Sequence, residues 1–127
     1  MGLQFIGEPA LRPASDLVFA GDLGFIHGLI GVDLTHPKAA LAESVEGQTR
    51  QIMGNLDALL AAQALNRAHV LAVTVWLRDF HRFEARFEKV WKQCFDTARP
   101  PTRQLTGATA LVREALVSMD FVISRRL

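Results

Sequence analysis

The sequence predicts an α+β domain in which two helices cover one face of a sheet. Three observations predict it. Strand-like and helix-like segments follow one another in the order strand, hairpin, helix, strand, helix, hairpin. Two segments repeat apolar residues at intervals of three and four, as an amphipathic helix does. A third, residues 69–77, is apolar on both of its alternating faces, which suits a strand inside a covered sheet.

The elements follow in order. Residues 3–6 predict a short strand, and GEPALRPAS predicts a loop because prolines and a glycine interrupt it. Residues 17–20 and 25–30 predict two strands of a hairpin, with Gly21, Asp22 and Gly24 between them. Pro37 halts regular structure after GVDLTHPK. Residues 43–63 predict the clearest helix, with Val45, Ile52, Met53, Leu56, Leu59 and Leu60 on its apolar side. Arg50, Gln51, Asn55 and Asp57 take the other side, Ser44 is a partial capping signal, and Gly54 suggests close packing on the sheet. In residues 69–77, Val70, Ala72, Thr74 and Trp76 are expected on one face, and Leu71, Val73, Val75 and Leu77 on the other.

Residues 80–95 predict the second helix, with Phe83, Phe87, Val90, Trp91 and Cys94 on its stripe. Glu84, Glu88, Lys89 and Lys92 read as ordinary surface charges. Residues 102–110 and 115–124 predict the last two strands, joined as a hairpin. Two helices cover one face of such a sheet. The strand at 69–77 is apolar on both, so the remaining face predicts a partner subunit.

Composition narrows the function classes without choosing one. At 127 residues, half of them hydrophobic, residues 1–127 are expected to form one domain with its own core. A net charge of +1 with scattered Lys and Arg argues against a nucleic-acid surface. The single cysteine, Cys94, allows no internal disulfide and fits a reducing compartment. No apolar run approaches the roughly 20 residues of a membrane helix, and the N-terminal segment is too interrupted for a signal peptide. A cytoplasmic protein with no membrane association is the expectation. His36, His69 and His81 are too dispersed for a metal-site argument, and no glycine-rich phosphate loop is present. No metal and no cofactor are therefore expected.

The segments EGQTRQIMGNLDALLAA, VLAVTVWLRDF and PPTRQLTGATALVREALVSMDFVI resemble the Rid (YjgF-type) family, also labelled endoribonuclease L-PSP. The match runs in order from about Pro13 to about Ile123. The resemblance implies a chorismate-mutase-like fold: a mixed six-stranded sheet with two helices on one face. It also implies a homotrimer around a central barrel, with pockets in the clefts between subunits. The family's active members hydrolyse enamines or imines of amino acids to a 2-keto acid and ammonia. Their carboxylate-binding arginine falls on Arg103, whose planar guanidinium matches a carboxylate with two parallel hydrogen bonds.

Other pocket positions differ. The family's catalytic glutamate falls on Ser118, and serine is no general acid or base near neutral pH. The tyrosine of the first loop falls on Ala14, the cysteine after the arginine on Leu105, and a strand-end serine on His27. Arg103 is the expected carboxylate anchor, with Ser118, Ala14 and Leu105 lining the pocket. His27 and Asp120 are the candidates for handling water, Asp120 being weighed against a structural role. Glu114 and Arg113 read as solvated turn residues. Cys94 and both tryptophans read as core.

Three readings follow. One is a deaminase acting on small carboxylate-bearing imines or enamines. The second is a pocket that binds a small carboxylate or keto acid without turning it over. The weakest is a ribonuclease or translation inhibitor, because charge and aromatics form no nucleic-acid patch.

Overall fold

In the computed structural model, which describes residues 2–8 and 10–127, six strands form one sheet and two helices lie on one of its faces. The strands are β1 (Leu3–Ile6), β2 (Leu17–Ala20), β3 (Leu23–Ile30), β4 (Val70–Arg78), β5 (Thr102–Ala108) and β6 (Val117–Ser124). The helices are α1 (Val45–Ala61) and α2 (Phe80–Trp91). Sheet order is β1-β2-β3-β6-β4-β5, antiparallel throughout except for the parallel pair β4 and β5. This is the mixed six-stranded sheet that the family resemblance implies.

The last two strands do not pair, contrary to the expected hairpin. β4 lies between them, and residues 109–116 cross over its end, where the Arg78 N–H donates to the Leu116 carbonyl at 2.9 Å. Within the crossover Arg113 and Glu114 adopt left-handed backbone, with φ of 54° and 55°. Arg113 is not a merely solvated turn residue. Its guanidinium donates to the carbonyls of Pro37 and Ala39, each at 2.7 Å, tying the crossover to the loop after β3.

The helix-covered face holds the core. Phe19, Ile26, Val73, Val75, Leu77, Val117, Met119, Phe121 and Ile123 turn toward it, against Ile52, Met53, Leu56 and Leu60 of α1 and Phe83, Phe87 and Val90 of α2. The Ser44 hydroxyl caps α1 by accepting from the Gly47 N–H at 3.0 Å. Asn55 belongs to the buried side of α1, not the solvated one. Its amide donates to the Val32 carbonyl at 2.7 Å, satisfying a loop that would otherwise bury unpaired backbone. Gln48, also buried, donates to Ala42 and accepts from the Leu116 N–H, each at 2.8 Å. Cys94 is core, as expected: burial pushes its thiol above the usual range.

The close helix–sheet approach is at Gly31, not Gly54. A Cβ at Gly54 meets nothing within 4 Å, whereas one at Gly31 would stand 2.6 Å from the Gln48 Cα. Replacing Gly31 with alanine pushes α1 from the end of β3. The expected loss is about 1–3 kcal/mol in urea unfolding, the usual cost of overpacking a filled site.

The face away from the helices is apolar and open. Phe5, Val18, Phe25, Val122 and Ala72 stand in register across β1, β2, β3, β6 and β4. Phe5 is 66% exposed and Phe25 36%. A register shift between Val70 and Ala72 alters the expected alternation of β4: Val70 is buried and Leu71 exposed. Trp76 is likewise exposed on this face, not core. No helix is long and apolar enough to cross a membrane among the described residues.

Candidate functional site

Arg103 is the second residue of β5, the edge strand, opposite Val73, so its side chain lies on the helix side of the sheet. There it meets α2. The guanidinium donates to both carboxylate oxygens of Glu88, Nη1 to Oε1 at 2.5 Å and Nη2 to Oε2 at 3.1 Å. Its carbon stands 5.0 Å from the centre of the Trp91 ring. Trp91 packs in turn on Phe87 and Phe95, with ring centres 6.0 and 5.1 Å away, so the floor under Arg103 is fixed to the core. A quarter of the Arg103 side chain stays exposed, and among the described residues β5 has no strand on its outer edge. The result is a rigid, partly dry guanidinium at an open edge. It suits the orientation of a small carboxylate better than a mobile surface arginine does. Leu105 follows on the same face, half-buried and packed on the core beside Val75.

Ser118, Asp120 and His27 lie on the opposite face. β6 pairs Ser118 with Trp76 and Asp120 with Thr74, and Ser118 is buried at 8% exposure. β3 bulges at His27 and Gly28, where its register with β6 shifts between Ile26 and Leu29. The Asp120 carboxylate holds that bulge. One oxygen accepts from the Gly28 N–H at 2.7 Å and the other from the Trp76 indole N–H at 3.3 Å. Gly28 has φ of +70°, which glycine adopts without strain. His27 is therefore presented outward from the open face, exposed, and its ring makes no hydrogen bond among the described residues. Ala14 lies in the loop between β1 and β2, exposed beside Phe5, Arg12 and Ser15, toward the other edge of the sheet from Arg103.

Within one chain the six expected residues thus form three groups: Arg103 with Leu105, His27 with Ser118 and Asp120, and Ala14. The geometry adds Glu88 and Trp91, which the sequence hides among helix-surface charges and core aromatics. A spacing of 15 residues across a helix–strand connection gives no periodic signal. The only clue in the sequence is that both flank the helix turn that leads to PPTR. Among the described residues no group of three His, Cys, Asp or Glu side chains is placed to hold a metal ion.

Residues 6–124 match the protein-family profile described as Endoribonuclease L-PSP. The chain belongs to that family. Protein DfrA of Myxococcus xanthus is 36% identical over 119 residues, which cover 89% of this chain and 86% of that protein. Reactive Intermediate Deaminase A, chloroplastic, of Arabidopsis thaliana is 27% identical over 113 residues, covering 89% of this chain and 59% of that protein. The crystal structure of E. coli TdcF with bound serine superposes with a TM-score of 0.82 at 23% identity. It covers 96% of this chain and 98% of TdcF. The endoribonuclease L-PSP fold, two helices on one face of a mixed six-stranded sheet, is therefore shared along the chain.

Proposed function

We propose that this family member is an imine or enamine deaminase, working in clefts between the subunits of a homotrimer. The observation that supports it most is Arg103, laid on Trp91 at an open sheet edge and backed by an acid. The three separated groups of residues support an assembled site. In the proposed trimer the open apolar face of one copy packs against its neighbour, and the Arg103 edge of one chain meets the His27 bulge of the next. The deaminase name of the Arabidopsis relative and the serine bound by TdcF support small-molecule chemistry of this kind.

In this reading Arg103 binds the substrate carboxylate, while Leu105 and the partner copy's Ala14 and Ser118 line the pocket. Water adds to the imine carbon and passes a proton to the His27 imidazole, the exposed ring that the bulge presents. The proton returns to nitrogen, the C–N bond breaks as the carbonyl forms, and the second water proton leaves with the ammonia. The sum is imine plus water to 2-keto acid plus ammonia. Asp120 positions His27 through Gly28; both its oxygens are already engaged.

The test generates imines in situ with an amino-acid oxidase and follows their disappearance. Wild type is expected to accelerate the loss, and His27→Ala to slow it about a hundredfold, a typical share for one acid–base group. A binding-only pocket is favoured by Ser118, buried and without a titratable group at neutral pH. It predicts no acceleration with any imine, and a higher melting temperature with carboxylates that depends on Arg103.

A further inference from the structure

We infer that Glu88 determines which carboxylates the Arg103 site accepts: zwitterions that carry a cationic nitrogen beside the carboxylate, in preference to keto acids. The inference rests on the reading of Arg103 as the ligand anchor. It starts from an excess of donors. A guanidinium offers five N–H groups in a fixed fork, and Glu88 takes one from each terminal nitrogen. Nε donates to nothing among the described residues, so the edge it forms with the second Nη2 hydrogen is left over. Nη2 belongs to both edges. A ligand carboxylate seated on the free edge would therefore lie directly beside the Glu88 carboxylate, with only Nη2 between them.

That arrangement discriminates by charge. Arg103 and Glu88 together are neutral. A keto acid brings a second carboxylate to a guanidinium that already has one, with nothing to offset the repulsion. An amino acid, or the protonated imine derived from it, places a cationic N–H group one carbon from its carboxylate, within reach of the Glu88 oxygen. Glu88 is placed to stay there. It sits on α2 one turn before Lys92 and just ahead of Trp91, whose ring fixes the guanidinium in place. Its side chain is 35% exposed, so a ligand can approach it while bulk water does not fully screen it. The same pair would favour release after hydrolysis, because the bound zwitterion is converted into an anion that Glu88 repels.

The experiment compares 2-aminobutyrate with 2-oxobutyrate, equal in carbon skeleton, by isothermal titration at fixed pH and ionic strength. The proteins are wild type, Glu88→Gln, Glu84→Gln and Arg103→Ala. Wild type is expected to prefer 2-aminobutyrate. Glu88→Gln is expected to shift that preference about tenfold or more toward 2-oxobutyrate, the size of one charged hydrogen bond. Glu84→Gln, an exposed charge one turn away, is expected to leave the preference alone. Far-ultraviolet dichroism and melting temperature show whether each variant folds. Arg103-dependent binding with an unchanged preference in Glu88→Gln overturns the inference and leaves the carboxylate site standing. An equal shift in Glu84→Gln also overturns it, since the effect is then general surface charge. Binding of neither compound in any Arg103-dependent way overturns both.

Discussion

Arg103→Ala is expected to lower kcat/KM for the proposed imine hydrolysis by about a hundred- to a thousandfold, because in that reading it removes two charge-assisted hydrogen bonds to the substrate at once. Stability should barely change. The Arg103–Glu88 pair is partly exposed, and such pairs contribute about 0–1 kcal/mol. The melting temperature therefore serves as the internal control: a large loss of activity without loss of fold places the effect at the site. Arg103→Lys separates charge from geometry. An ammonium keeps the attraction and loses the planar fork and the stacking on Trp91, so recovery of about a tenth of the wild-type rate or less is expected. Full activity in Arg103→Ala would remove the arginine from the mechanism altogether.

Some of this was legible from residues alone. The helix α1 is legible because Ile52, Met53, Leu56 and Leu60 recur on one face, and each is buried. β4 is legible as a central strand, and it has a neighbour on either side. What sequence does not reveal is non-local. Whether β5 and β6 pair with each other or flank β4 depends on partners about 30 and 45 residues distant, and both arrangements satisfy the same alternation. Asn55 and Gln48 look solvated by type. They are buried because loop carbonyls and amides need partners, a demand that local pattern does not express. The bulge at Leu71 turns one residue outward without altering composition. Glu88 is the sharpest case. On the helix it is one of several alternating charges, and only the return of the chain through β5 distinguishes it from Glu84.

Val122→Asp is expected to convert the proposed trimer into single chains of 14.0 kDa by sedimentation, and to abolish the proposed activity with it. Val122 lies in the middle of the open face, between Phe25 on β3 and Ala72 on β4. In one chain it is half-exposed, so an aspartate there stays hydrated and the fold survives. In a trimer closed through this face, three carboxylates would be desolvated near one another without partners, at a cost of several kcal/mol each. No contact at the Arg103 edge is altered in the same chain, since that edge is two strands away on the other face. Loss of activity in a folded monomer would therefore mean that the site needs the open face, as an interface or through the His27 bulge beside Val122. Val122→Thr, similar in shape and uncharged, should remain trimeric and active. An aspartate variant that still sediments as a trimer would place the interface elsewhere, and with it the clefts. An active monomer would mean that Arg103, Glu88 and Trp91 suffice on their own, without the His27 of a neighbour.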